Sequence, residues 1–290
     1  MSDILNQLFT GLSIASILLL VSLGLAIIYG TMGVINLAHG EFVMLGAYTV
    51  WYLQKTFGLD LLPCLVVSFF AVAAAGWLIE RLIVRHLYKR PLDTILATWG
   101  VGVILQQGIR LTAGPELRYV KMPAWLSNAV PVLGVEVSSY RILIFVLTIA
   151  LLAATYFLLT RTRYGFSLRA VTQDQEVARC FGINAARVYS LTFAYGAGLA
   201  GVAGALIAPL KSVSPDMGTS NVIDAFMVVV VGGVASLIGT VASAAIIGQV
   251  SGLLAFIYND TLAKALVFFG VVILIRFMPE GIFSVRVRRG

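Results

Sequence analysis

The feature that most constrains this chain is a succession of nine apolar segments separated by polar turns and two longer loops. They run over residues 8–30, 34–51, 61–83, 94–111, 141–159, 188–210, 222–238, 241–257 and 262–277. About 20 apolar residues in helical form match the hydrocarbon thickness of a bilayer, and most of these segments reach or approach that length. Alternating ten-residue strands of a membrane barrel would be shorter and half polar, so the runs are too long and unbroken for that class. Composition agrees: 60% of the 290 residues are hydrophobic and 11% charged, against about 45–50% and about 25% in soluble domains. The expected fold is therefore all-α, a polytopic integral membrane protein forming one transmembrane domain over 1–290. The segment 34–51 is short and polar at its start, which leaves the count at eight or nine crossings. Met1-Ser2-Asp3 carries no basic n-region and the first apolar run is long, so it is expected to be a retained span and not a cleaved signal.

The net charge of +7 is concentrated beside the apolar segments, where the preference of Lys and Arg for the cytoplasmic side accounts for it without a nucleic-acid partner. One cluster is Arg81, Arg85, Lys89 and Arg90. A second is Arg161, Arg163, Arg169, Arg179 and Arg187, and a third is Arg286, Arg288 and Arg289. All three are expected on the cytoplasmic face. The segment count agrees, with two crossings between the first and second clusters and four between the second and third. The loop 112–138 then faces outward, with two acids balancing two bases and with Tyr119 and Trp125 suited to an interface. It reads equally as an interfacial lid and as a docking surface for an external partner. The turns 211–221 and 258–261 share its side. The side of Met1 depends on whether 34–51 spans. Cys64 and Cys180 fall on opposite faces, so no disulfide and no metal site is expected.

Three groups of residues stand out against this background. The first is the charged stretch 165–184, GFSLRAVTQDQEVARCFGIN, on the basic side. Thr172 and Gln175 have capping-box spacing, Asp174 and Glu176 suit a helix first turn, and Arg179 suits its end. Gly182 is placed to terminate the helix and Asn184 to cap the next. A helix of about two turns results, with Val177, Ala178, Cys180 and Phe181 on an apolar side. Such a helix is marginal alone and needs a surface, either lipid headgroups or a partner.

The second group is Asn36, His39 and Glu41 between Gly33 and Gly40. Ionisable groups within an apolar segment line a cavity or pair with one another, and the glycines permit a broken helix there. His39 and Glu41 are two residues apart, on different helical faces, and make no zinc motif. Thr98, Trp99, Gln106 and Gln107 give the fourth segment a polar face, and Asp224 is expected at the outer end of its segment. These residues serve equally as a solute pathway or as hydrogen-bonded ties between helices. The third group is small: Gly196, Gly198, Gly201 and Gly204 with interleaved alanines, then Gly232, Gly233, Gly239 and Gly248. Their first reading is close internal helix packing, and their second is packing against another membrane chain. No Gly-x-x-x-x-Gly-Lys-Ser/Thr phosphate loop and no catalytic triad is written in the chain, so no enzymatic role and no cofactor is expected.

Glu176-Val177-Ala178, three residues, then Gly182 resembles the EAA–three–Gly signature of ABC importer permeases, departing from it where Val177 replaces Ala. The stretches 33–48, 161–184 and 224–248 resemble the branched-chain amino acid and urea permease family, and the likeness covers nearly the whole chain. Residues 90–107 and 169–175 resemble the urea branch most. The resemblance implies an ATP-driven importer of the bacterial inner membrane, with urea as solute and branched-chain amino acids as the alternative. It implies two ATPase subunits, a second related permease and a periplasmic binding protein as partners. Coupling to the ATPase would fall on Glu176, Val177, Ala178, Arg179 and Gly182. The solute pathway would involve Asn36, His39, Glu41, Gln106 and Asp224. A rival reading is a self-contained secondary transporter or channel.

Overall fold

Polar residues placed at the ends of the apolar runs start and stop the helices. The computed structural model describes residues 2–88, 90–132, 135–234 and 236–283, so Lys89 and the basic tail Arg286, Arg288 and Arg289 lie outside the described residues. Eleven helices are described: α1 Ser2–Met32, α2 His39–Phe57, α3 Leu61–Leu82, α4 Pro91–Ala113, α5 Ser139–Arg161, α6 Arg163–Gln173, α7 Gln175–Cys180, α8 Ala185–Ile207, α9 Met217–Gly232, α10 Leu237–Ile257 and α11 Asp260–Phe277. Side-chain oxygens of Asp60, Thr162, Asn184, Ser236 and Asn259 accept the first free backbone N–H groups of α3, α6, α8, α10 and α11. Pro91 opens α4, where its missing N–H costs nothing. By length and apolar content, α1, α3, α5, α8 and α10 are each sufficient to cross a membrane, and α9 is a shorter apolar helix. The expected segments are helical over most of their length, with three main departures: α2 starts at His39 and not at 34, the segment 222–238 overruns the end of α9 at Gly232, and 188–210 overruns the end of α8 at Ile207.

Contacts at the helix ends sort them onto two faces. On one face, strands β1 Ala129–Val132 and β2 Val135–Ser138 form an antiparallel hairpin, with Val130 opposite Val137. The loop around it is stitched to the bundle. Gln54 and Lys121 exchange two hydrogen bonds, Trp125 Nε1 donates to Asp60, Arg118 and Val213 pair through their backbones, and Arg141 at the start of α5 donates to Thr10 of α1. The start of α1 therefore lies on the hairpin face, while Met1, whose side the sequence left open, lies outside the described residues. The opposite, basic face holds the end of α3, the start of α4, the end of α5, α6, α7 and the start of α8.

Two units of like construction, α1–α4 and α8–α11, make up most of the bundle. α3 packs along α8 as α10 packs along α1, while α1 meets α8 and α2 meets α9. The first unit begins on the hairpin face and the second on the basic face, so they are inverted relative to each other. Their centre is a glycine crossing: a Cβ on Gly24 would lie 2.3 Å from the Gly196 carbonyl oxygen, and one on Gly196 would lie 2.7 Å from that of Gly24. The other ladder glycines also face neighbours inside this chain, with Gly201 on Val72, Gly204 on Val43, Gly232 on Gly239 and Gly248 on Ala15. The largest core cluster joins α1, α2, α3 and α8 through Phe42, Phe193, Met44 and Leu206. Helices α4, α5 and α11 sit at the rim with apolar faces exposed, as lipid contact requires.

Candidate solute pathway and docking helix

Two short helices begin inside the bundle, and the polar residues singled out in the sequence collect where they meet. α1 ends at Met32, and Gly33 turns the chain with φ +65°, a conformation that costs glycine little. Several backbone groups freed by the break find protein partners, as this depth requires. Ala38 N–H donates to Asn36 Oδ1 (3.1 Å), and Leu37 N–H donates to Thr98 Oγ1 of α4 (3.1 Å). α2 then starts at His39. Its Gly40 abuts α9 so closely that a Cβ would stand 1.9 Å from the Gly218 carbonyl oxygen.

His39 is fully buried and its Nε2 lies 2.9 Å from the carbonyl oxygen of Val21 in the middle of α1. Bonding to a carbonyl fixes the proton on Nε2 and leaves Nδ1 as an acceptor. Glu41 points the other way. Its carboxyl group packs against Gly218 of α9 and its Cγ lies near Gly102 of α4. The two side chains thus face different helices, as their spacing implied, and form no proton relay. Asn36 Nδ2, His39 Nδ1, Glu41 Oε2 and Tyr48 Oη are buried without a hydrogen-bond partner. Four such atoms on one 13-residue stretch are unusual, because buried polar groups are normally paired; they leave a site equipped with donors and acceptors.

α4 completes this region with a polar stripe at four-residue spacing. Thr98 meets Leu37, Gly102 meets Glu41, and Gln106 and Arg110 both reach Asp216 just ahead of α9, at 2.8 and 2.5 Å. Trp99 and Gln107 lie off the stripe and are exposed. Asn36, His39, Glu41 and Gln106 therefore share one neighbourhood. Asp224 does not. It lies two turns into α9, not at the end of its segment, because α9 starts at Met217, five residues earlier than the apolar run. It pairs with Lys264 of α11 at 2.9 Å. Together they line a separate cleft of about 420 Å³ that also includes Arg141, Lys211, Asn221 and Asp260. Arg110, Asp216 and Lys264 were missed in the sequence because each sits near a segment end, where a charge reads as an interface marker. Among the described residues, no cluster of metal-ligating groups occurs.

On the basic face the charged stretch forms two helices where one was expected. The capping box also fails. Thr172 is inside α6 with its Oγ1 on the Leu168 carbonyl, while Asp174 caps α7 by accepting from Glu176 N–H (2.9 Å) and Val177 N–H (3.0 Å). A carboxylate between two helices meets two free N–H groups and the positive end of α7 together, which a hydroxyl one turn earlier does not. Gly182 ends α7 with φ +81°, its N–H on Arg179 O and that of Ile183 on Ala178 O, the arrangement anticipated for a C′ glycine. Asn184 caps α8 by accepting from Arg187 N–H (3.1 Å), also as expected.

Only Ala178 of α7 points inward, into a cluster with Leu168, Val171, Ala185 and Val188. Glu176, Val177, Arg179, Cys180 and Phe181 project outward, and Phe181 is 81% exposed. The apolar side expected to hold α7 down is therefore mostly presented to the exterior. α6 anchors the unit: Tyr164 Oη bonds Thr192 Oγ1 at 2.5 Å, and burial pushes its phenol up to about 12. Arg169 adds a bond to the Leu159 carbonyl at the end of α5. Cys64 is buried, Cys180 is exposed, and both are free.

Comparison with known proteins follows the same lines. The family described as "Branched-chain amino acid transport system / permease component" matches residues 7–276. The high-affinity branched-chain amino acid transport system permease protein BraD of Pseudomonas aeruginosa is 32% identical over 294 residues, covering 97% of this chain and 95% of its own. The corresponding protein LivH of Escherichia coli K12 is 32% identical over 297 residues, with the same coverage. LivM of Escherichia coli K12, a permease protein of the same kind of system, is 27% identical over 260 residues, covering 80% of this chain and 60% of its own. No solved structure matches. The chain is a multi-pass protein of the inner membrane and belongs to the permease family of branched-chain amino acid transport systems.

Proposed function

We propose that this chain is one permease subunit of an ATP-driven importer whose solute is a branched-chain amino acid. The observation that carries the reading is α7: a helix capped at both ends, seated by Ala178 and presenting Phe181, Val177 and Glu176 on the basic face. A rigid apolar knob ringed by charge is suited to a cleft on a soluble partner. In this family that partner is an ATPase pair on the cytoplasmic side. The likeness to both LivH and LivM supports a second, related permease beside it. A binding protein would deliver solute to the hairpin face. The named relatives support amino acids over urea, which the sequence alone had favoured.

Solute would descend along the α4 stripe toward Glu41. Arg110 and Gln106, which hold Asp216, come first, and the junction of α2 and α9 lies below. Sites of inverted-repeat transporters lie at such junctions of broken helices. An amino acid brings an ammonium and a carboxylate, which suit Glu41 and Arg110; urea brings neither charge. The decisive experiment is uptake of labelled leucine and labelled urea in a strain lacking this chain, with and without the chain restored. Leucine uptake that returns while urea uptake is unchanged is the expected result. Restored urea uptake alone, or leucine uptake that persists when ATP is depleted, would refute the assignment.

A further inference from the structure

A second polar cluster, centred on a fully buried carboxylate, lies away from the pathway. Glu80, two residues before the end of α3, has no exposed surface, and its carboxylate accepts hydrogen bonds from Tyr88 Oη and Ser190 Oγ. Tyr88 belongs to the segment between α3 and α4, and Ser190 lies in the second turn of α8. The rings of Tyr88 and Tyr189 add an edge contact at 5.2 Å between centroids. Burial, then the Glu80 carboxylate, raises the Tyr88 phenol far above its usual range, so it stays a donor at any working pH.

Both partners of Glu80 are rigidly tied to parts that matter. On one side, α7 passes directly into α8 through the Ile183–Ala178 backbone bond, the Asn184 cap and the Ala178–Ala185–Val188 cluster. On the other, the segment after α3 folds into a 3-10 turn, Val84–His86, and bonds forward into α4 through Arg90 N–H to Leu87 O and Thr94 Oγ1 to Leu87 O. Elsewhere α4 is held by its polar stripe, by Leu105, Ile109 and Ala113 on one side and by Arg118 on the Ala113 carbonyl, while Leu92, Leu96, Ile104 and Leu111 stand exposed. It is the helix that lines the Glu41 region and has the fewest internal restraints.

We propose that Glu80 is a positioning residue that couples α7 to α4, clamping Ser190 of the docking unit to Tyr88 at the base of the pathway helix. A displacement of α7 carries α8 with it, pulls Tyr88 through Glu80, and tilts α4 against Glu41 and Asp216. The linkage is a contiguous chain of bonded groups with a polar joint. It rests on the docking role proposed for α7.

The test uses the complete importer with its binding protein in proteoliposomes, reading leucine accumulated per ATP hydrolysed. Tyr88→Phe keeps the ring and the Glu80–Ser190 bond and removes only the link to α4. It is expected to keep ATPase stimulation by the loaded binding protein while the transported-to-hydrolysed ratio falls about tenfold, within the usual range of site-to-site coupling. Glu80→Gln is expected to do the same, and the double variant to be no worse than Glu80→Gln, since both cut one link. A wild-type ratio in Tyr88→Phe overturns the proposal, as does a proportional fall of transport and hydrolysis, which a merely structural role would give. If Glu80→Gln does not assemble, Tyr88→Phe decides alone. Glu176→Lys serves as the control for docking: it is expected to shed the ATPase, whereas Tyr88→Phe retains it, so failure of the docking reading and failure of the linkage are separable.

Discussion

Removing the Asp174 cap is the sharpest way to ask whether α7 acts as a preformed knob. The carboxylate satisfies two N–H groups at the start of a six-residue helix, too short to persist on propensity. Replacing an N-cap acid with alanine costs about 1 kcal/mol, up to about 2. At about 1 kcal/mol the equilibrium constant for forming α7 falls roughly fivefold, and apparent affinity for the ATPase falls by at most that factor when only the formed helix binds. Asp174→Ala should thus weaken ATPase binding by up to about fivefold, measured by titrating the ATPase onto detergent-solubilised permease immobilised on a biosensor. Asp174→Asn, which keeps the accepting oxygen, should stay within about twofold. Thr172→Ala, the change a sequence-based capping box would single out, should be near neutral because Thr172 bonds only back to Leu168. Equal losses for alanine and asparagine would show that charge and not capping matters. A loss at Thr172 exceeding that at Asp174 would refute the placement of the cap.

Two further expectations concern the bundle. Gln106→Leu removes one of two donors on Asp216 while Arg110 holds the contact; leucine uptake should fall several-fold with the complex intact on size exclusion, and loss of assembly would instead make the residue a helix tie. Gly204→Ala places a Cβ 1.8 Å from the Val43 carbonyl oxygen, so α2 and α8 must part, at about 1–3 kcal/mol. Its thermal midpoint in detergent should drop by several degrees, whereas Gly100→Ala, with no atom within 4 Å of the new methyl, should not lower it; equal shifts would contradict the packing assigned to Gly204.

Much of the architecture was legible because its causes are local. Segment length set the helices, and Gly182 and Asn184 declared the end of α7 and the start of α8 through backbone geometry and capping chemistry that act within four residues. Asp174 was assigned to the first turn, and not to the cap, because nothing local reveals that α6 already consumes Thr172. The grouping of Asn36, His39, Glu41 and Gln106 was anticipated in kind, since a polar residue in an apolar run must find a partner somewhere. Asp216 and Arg110 were not, being separated by 106 residues, nor was the pairing of Asp224 with Lys264, 40 residues away.

The sequence by itself determined that this chain lives in a bilayer, roughly where its apolar helices run, and that a charged stretch stays outside the apolar mass. Those properties follow from hydrophobic transfer and from satisfying backbone groups in water-free surroundings. Only the tertiary structure decided that the two units are inverted about the Gly24–Gly196 crossing, that α2 and α9 start head to head, and that Glu80 joins Tyr88 to Ser190 of α8. In each case the deciding contact is between residues distant in the chain and of ordinary type, two backbones close enough to exclude a methyl group or a carboxylate with two donors, and such complementarity exists only once the helices have packed.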